Sequence, residues 1–271
     1  LSSLSTSDYR PLTELCDGLL EYCDPRNINI NLPSLRADGF SMGIMQRLQR
    51  VRKTSITFAP EAGTQRMRDT INKNVKEEDL LQSCRTAFEG GCNAVKLYFM
   101  LGLPTETDED VIGIARLAEK VYWTWKNYAV NKSRGLRITV STSFFVPKPF
   151  TPFQWEAQIT RDEYHRRVDL LRGSIKNKSI QYNWHEMETS YIEAVLARGD
   201  RLGKLLETVW RKGGRLDSWS EYFSFERWME AFAETGIDPD FYALRERPKD
   251  EILPWSMIDI GVHPEYLWRE R

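Results

Sequence analysis

Two short stretches put polar residues where chemistry could be done. In "SITFAPEAGTQRMRDTINKN", residues 55 to 74, an apolar run with Ile56 and Phe58 gives way to Glu61, Gly63, Arg66 and Arg68. In "KLYFMLGLPTETDED", residues 96 to 110, a second apolar run ends at Gly102, Pro104, Thr105 and Glu106. A carboxylate such as Glu61 can accept two hydroxyl hydrogen bonds, and Arg66 or Arg68 can clamp a carboxylate with a planar fork. Glycine after Glu61 and before Leu103 lets the backbone approach a ligand closely. Each residue also has an ordinary use, since a strand-end Glu often caps a helix and helix charges usually face water.

The elements that must hold these residues can be read from periodicity. "YRPLTELCDGLLEYC" spaces Leu12, Leu15, Cys16, Leu19 and Cys23 as a helix, and "NININLPSLR" alternates as a strand before the helical "SMGIMQRLQRV". A strand at residues 55 to 60 precedes the helix "EEDLLQSCRTAFEGG", with Leu80, Leu81, Cys84, Ala87 and Phe88 on one face and Gly90 and Gly91 ending it. The strand "NAVKLYFML" leads through Gly102 into the helix "TDEDVIGIARLAEKVYWTW", whose first turn is acidic, as the positive end of a helix dipole favours. "LRITVSTSFFV", a helix near residues 160 to 176 and "SIQYNWHE" complete the alternation. About six strands separated by helices imply an α/β fold of parallel strands, wound into a barrel or doubly wound. From about residue 187, Trp210, Trp219, Trp228, Trp255 and Trp268 are scattered among short helical pieces, so a barrel domain over 1–186 and a helical appendage over 187–271 are expected.

In such sheets ligands bind beyond the carboxyl ends of the strands. Those ends carry Ser2, Ser3 and Ser5, then Asn31, Ser34 and Arg36, then Glu61 and Gly63, then Gly102, Thr105 and Glu106, then Lys148, and last His185 and Glu186. The set is mixed in charge and rich in hydroxyls and glycines, which suits a polar, partly anionic, ribose-bearing ligand. It is not a metal cage: His165, His185 and His263 are too dispersed for zinc, and His165 lies in a charged helix where it should be solvated.

Composition narrows the classes. The 271 residues are 41% hydrophobic with Lys+Arg 38 against Asp+Glu 39, so the chain is globular and has no global field for nucleic acid or an anionic membrane. No run is long and apolar enough for a membrane span and no signal peptide opens the chain, which points to the cytoplasm. Cys16, Cys23, Cys84 and Cys92 lack metal-ligand spacing and read as small buried residues. "LSSLSTSDY" begins without Met at what reads as a strand end, so a piece of a longer protein is expected.

"PEAGTQRMRDTINK", "LYFMLGLPTET" and "FFVPKPFTPFQW", taken in order, resemble the radical S-adenosylmethionine (SAM) superfamily, in particular uncharacterised members that often carry a cobalamin-binding-like N-terminal region. "LSSLSTSDY", "NLPSLRAD", "RGDR", "WRKGGRLDSW" and "LPWSMIDIGV" extend the resemblance almost end to end. It implies a partial (β/α)6 TIM-like barrel, here with its first strand missing, and an iron–sulfur oxidoreductase-type enzyme. A [4Fe-4S] cluster there binds SAM and delivers the electron that yields a 5′-deoxyadenosyl radical. Carried over, Ser3 and Ser5 meet the methionyl amino group, Glu61 holds the ribose hydroxyls, and Arg66 and Arg68 are candidates for the carboxylate. Gly102 and Pro104 lie beside the adenine with Glu106 buttressing the turn, where Thr105 stands in place of a second family glycine. Phe145, Val146 and Pro147 supply apolar contact or backbone hydrogen bonds to the adenine.

The family's Cys-x3-Cys-x2-Cys motif is not in these residues. Its ligands are therefore expected upstream of Leu1, and the chain alone is expected to be inactive. Cobalamin is admitted for the longer protein, as are RNA or protein as substrate and flavodoxin or ferredoxin as electron donor, with no membrane partner. Two other readings of the residues stay open: a barrel hydrolase using Glu61 and Glu106 as paired carboxylates, and a non-catalytic RNA- or protein-binding scaffold built on the basic runs "HRRVDLLRGSIKNK" and "WRKGGR". Those runs alternate with apolar residues at helical spacing, as solvated helix faces do.

Overall fold

The computed structural model describes residues 9–28, 30, 55–133 and 135–271. The opening stump, the body of the "NININLPSLR" strand and the helix after it lie outside these residues. The described chain divides into two units, one of residues 1–101, 106–143 and 167–185, the other of residues 102–105, 144–166 and 186–271.

The first unit is built on a four-stranded parallel sheet in the order β1 (Ile56–Glu61), β2 (Ala94–Leu101), β3 (Arg137–Phe144), β4 (Ile180–Trp184). Neighbours in sequence are neighbours in the sheet, so each connection returns the chain to the same edge and every carboxyl end lies on one rim. Ile56 pairs with Val95 and Phe58 with Leu97, while Ile138 pairs with Ile180 and Ser141 with Asn183. The four strands are compatible with the expected six-unit barrel.

Alternation sorts the two sheet faces. Val95, Leu97, Phe99 and Leu101 of β2 are buried, as are Ile56 and Phe58 of β1 and Ile138, Val140 and Phe144 of β3. Each such side chain contributes about 2 kcal/mol by leaving water, so this face drives the unit's folding. Helices α3 (Glu77–Glu89) and α4 (Asp108–Tyr128) pack on β1 and β2 and on each other. A cavity of about 700 Å³, lined in part by Ala115, Ile175 and Ile180, lies where α4 meets the start of β4. The intervening residues of the strands, Lys96, Tyr98 and Met100 of β2, Thr139 and Ser143 of β3, Gln181 and Asn183 of β4, stay partly or fully exposed.

The helices start and stop where the sequence says. Thr107 and Asp110 form a capping box on α4, Glu77, Glu78 and Asp79 fill the first turn of α3, and the Gly90 amide closes that helix on the Thr86 carbonyl at 3.1 Å. In α1 (Leu12–Cys23), Cys16, Leu20 and Cys23 are the buried residues and Leu15 is 38% exposed, so the apolar face is rotated from the expected one. Leu20 and Cys23 pack with Ile30, which draws that face toward the end of the following turn.

In the second unit α6 (Met187–Arg198), α7 (Gly203–Arg211), α8 (Phe225–Thr235), α9 (Pro239–Ala243) and α10 (Pro264–Arg269) follow one another with no strand between them. Trp255 and Trp155 form a small core with Leu253 and Leu267, while Trp210 and Trp219 are exposed. Helix α5 (Arg161–Ser174) precedes β4.

Candidate functional site at the strand exits

The exit of β1 is a strained turn. The register slips between Phe58 and Glu61, a bulge that re-aims the end of the strand, and Glu61 sits at φ 67° although it is not glycine. Its carboxylate accepts from Lys73 Nζ at 3.2 Å and remains partly open to solvent. Thr64 then caps the short helix α2 (Gln65–Thr70), its hydroxyl accepting from the Met67 amide.

The two arginines of α2 part company. Arg66 is half exposed and its Nη2 donates to Asp110. Arg68 is 1% exposed and turns inward, donating to the Ala62 carbonyl at 2.9 Å and to Gln65 Oε1 at 3.1 Å. The expectation that helix charges here face water fails for Arg68, because the glycine-bearing turn leaves main-chain acceptors inside that only a long donor can reach. Burial lowers the affinity of this guanidinium for its proton, and Glu77, Asp69 and Glu78 oppose that.

Asp110 was not among the expected site residues, yet it organises the turn. Besides Arg66 it accepts from Thr64 Oγ1 at 2.6 Å, from the Thr107 amide at 2.9 Å and from Thr107 Oγ1 at 2.6 Å. Burial alone would raise its pKa, but hydrogen bonds from Arg66, Thr107 and Thr64 outweigh this and hold the carboxyl well below the usual carboxylate range. The Thr107-x-x-Asp110 spacing was the signal in the sequence; its second set of partners, Thr64 and Arg66 at the start of α2, is not local and could not be read.

Gly63 also differs from expectation. A Cβ there would lie 2.2 Å from the Ile114 amide nitrogen and 2.7 Å from the Asp110 carbonyl oxygen, so its missing side chain lets the turn press on α4. The close approach is to a helix of the chain itself. Gly113 returns the contact, its own Cβ position being 2.6 Å from Thr64 Cγ2.

After β2, Gly102 lies at φ 89° with Ile159 and Phe144 at 3.0 and 3.2 Å from its Cβ position, and Thr105 sits at φ 63°. A β-branched residue holds that conformation at a steric cost. Phe145, Val146 and Pro147 are buried. The Phe145 carbonyl accepts from Gln158 Nε2 at 3.1 Å and its ring meets Phe153 edge-on. These residues belong to the second unit. Glu106, in the first, is buried and ion-paired with Arg167, whose Nη2 also reaches the Glu106 carbonyl.

Of the remaining strand-end residues, Lys148 pairs with Glu193, His185 is exposed with its amide on the Thr142 carbonyl, and Glu186 is the N-cap of α6. Ser2, Ser3, Ser5, Asn31, Ser34 and Arg36 lie outside the described residues. Glu61 and Glu106 are each ion-paired, with Lys73 and Arg167 respectively. In the basic runs Arg166 pairs with Glu163, Arg172 with Asp169, Arg211 with Glu207 and Lys212 with Glu230 and Glu234, so neither run presents a bare positive stripe.

The chain's four cysteines do not fit a [4Fe-4S] ligand set. All are buried thiols, and among the described residues no three of His, Cys, Asp or Glu gather as metal ligands. Burial, with Cys92 adding to it, pushes the Cys84 thiol far up, away from the thiolate that iron needs.

The Radical SAM superfamily model matches residues 1–118, which include the β1 exit, β2 and its turn. An uncharacterised protein of Methanocaldococcus jannaschii, MJ0966, is 29% identical over 234 residues, covering 86% of this chain and 48% of that protein. The chain thus spans about half the length of this curated relative. A crystal structure of dihydrodipicolinate synthase from Oceanobacillus iheyensis covers 97% of this chain and 88% of its own at 10% identity and a TM-score of 0.27, too distant to carry an argument.

Proposed function

We propose that this chain, whose residues 1–118 match the Radical SAM superfamily model, belongs to an enzyme of radical type and that the exit of β1 holds the ribose of S-adenosylmethionine. Membership implies SAM and a [4Fe-4S] cluster in general. Cobalamin has no support among the comparisons. When bound, the cluster supplies the electron that cleaves a sulfur–carbon bond of SAM. The four buried cysteines of this chain do not fit as its ligands.

The observation that carries the reading is Glu61: a non-glycine residue kept at φ 67° at the end of a parallel strand, inside the matched segment, with its carboxylate partly open. Strain of this kind persists only where the surroundings enforce it, and it gathers at ligand sites. Two acceptor oxygens fit vicinal ribose hydroxyls, and Lys73 orients the carboxylate. The Asp110 hydrogen bonds fix the turn so that little ordering remains at binding. Gly102, Pro104 and the buried Phe145, Val146 and Pro147 are proposed for the adenine, Glu106 for bracing the turn through Arg167, and Arg66, Arg68, Ser3 and Ser5 for the methionyl end.

The barrel, the reducing partner (flavodoxin or ferredoxin) and a macromolecular substrate such as RNA or protein belong to this proposal for the whole protein. Equilibrium dialysis of the chain against labelled SAM tests the binding step. Saturable uptake displaced by 5′-deoxyadenosine is expected; no uptake at millimolar SAM would overturn it.

A further inference from the structure

Parallel sheets are ordinarily apolar on both faces because both are covered. This one is apolar on the face toward α3 and α4 only. On the other face β2 presents Lys96, Tyr98 and Met100, β3 presents Thr139 and Ser143 with the buried Ser141 between them, and β4 presents Gln181 and Asn183. Successive residues of a strand point to opposite faces, so this polar set shares one surface and belongs wholly to the first unit.

Register arranges the set. Ser141 pairs with Asn183 and Thr139 with Gln181, and Ser143 Oγ reaches the Phe99 carbonyl at 3.5 Å, which brings the upper part of β2 level with the end of β3. Thr57 of β1 pairs with Lys96. Strands about 4.8 Å apart place these groups within the span of one small organic molecule.

Lys96 gives the surface its sign. No carboxylate among the described residues pairs with it, and its ammonium lies 5.0 Å from the Tyr98 ring centroid. Side-chain hydroxyls and amides beside an ammonium without an acidic partner recognise an anionic group and the polar atoms attached to it.

We propose that the face formed by Lys96, Tyr98, Ser143, Gln181 and Asn183 is a binding floor for a polar substrate that carries a carboxylate or phosphate, with the anionic group seated at Lys96. Its description as a substrate site rests on the radical SAM reading above; the anion site itself rests on the sheet alone. The test is an amide NMR titration of the whole chain with inorganic phosphate and, separately, acetate, with glycerol as the neutral control. Saturable shifts are expected at Lys96, Tyr98, Ser143 and Asn183, with the anion that shifts them at lower concentration naming the group recognised. Lys96→Met should weaken that binding by about tenfold and Lys96→Arg should retain it. Asn183→Ala, on an exposed strand position, is the second variant should Lys96→Met fail to fold.

Shifts spread evenly over the surface cations, or an unaltered titration in Lys96→Met, would overturn the proposal. SAM dialysis of the same variants separates it from the earlier reading. Lys96→Met should bind SAM like the parent chain, and a parent chain that binds phosphate here but not SAM would sink the cofactor reading alone.

Discussion

The Arg66 guanidinium donates to a buried Asp110 carboxylate that also accepts from Thr64 and Thr107, so one side chain joins the exit of β1 to the start of α4. Asp110→Asn keeps the shape but removes the charge and turns one acceptor into a donor against Thr107 or Arg66. A loss of about 2 kcal/mol is expected, read as a lower urea midpoint at unchanged slope. A loss under about 0.5 kcal/mol would mean the hydrogen bonds do not hold the turn.

The same carboxyl sets an acid limit. Its pKa is depressed in the folded state, so its stabilisation is present above the unfolded value near 4 and is lost as pH falls through the folded value. Parent chain and Asp110→Asn should therefore differ in melting temperature by a constant amount above about pH 5, and the gap should begin to close below about pH 4 and keep narrowing as pH falls toward the folded value. A gap that stays constant down to pH 2 would contradict this.

Gly63 should tolerate no side chain. A methyl group would meet backbone atoms of Ile114 and Gly113 at 2.2 and 2.6 Å, and backbone cannot swing away as a side chain can. Gly63→Ala is expected to cost about 3 kcal/mol by chemical denaturation. A cost below 1 kcal/mol would show that the turn and α4 are not in contact.

Much of this architecture was legible in the sequence because it is written locally. The four described strands, the ends of α3 at Gly90 and the acidic start of α4 follow from alternation, glycine and charge within a few residues of each other. The structural roles of Arg68, Gly63 and Asp110 could not be read from the sequence for one shared reason. Their roles come from partners on other elements: the Ala62 carbonyl for Arg68, α4 for Gly63, and Thr64 and Arg66 for Asp110. Polarity alone did not show that these residues also lock the turn carrying Glu61. The polar second sheet face was legible as alternation, but its meaning required knowing that the strands are parallel.

The buried pair Glu106 and Arg167 offers a test of turn bracing. Arg167→Met strips a buried carboxylate of a cationic partner and should cost about 3 kcal/mol, with Glu106→Gln/Arg167→Met recovering part of it. The check is a double-mutant cycle by thermal melting. Additive effects of the two changes would show that the pair is not coupled.

Backbone strain predicts an order among small substitutions. Glu61→Ala and Glu61→Gly both remove the carboxylate, but only glycine relieves φ 67°, so Glu61→Gly should be the more stable by about 1 kcal/mol. Equal stability, measured in urea, would mean that the turn relaxes and stores no strain.

The central claim is most directly tested by the SAM affinity of Glu61→Ala against the parent chain, measured by isothermal titration with matched thermal melts. Loss of two hydroxyl hydrogen bonds to a charged acceptor should weaken binding tenfold or more, about 1.4 kcal/mol, while the protein stays folded. An affinity equal to that of the parent, in a folded variant, would contradict the placement of the ribose at the β1 exit.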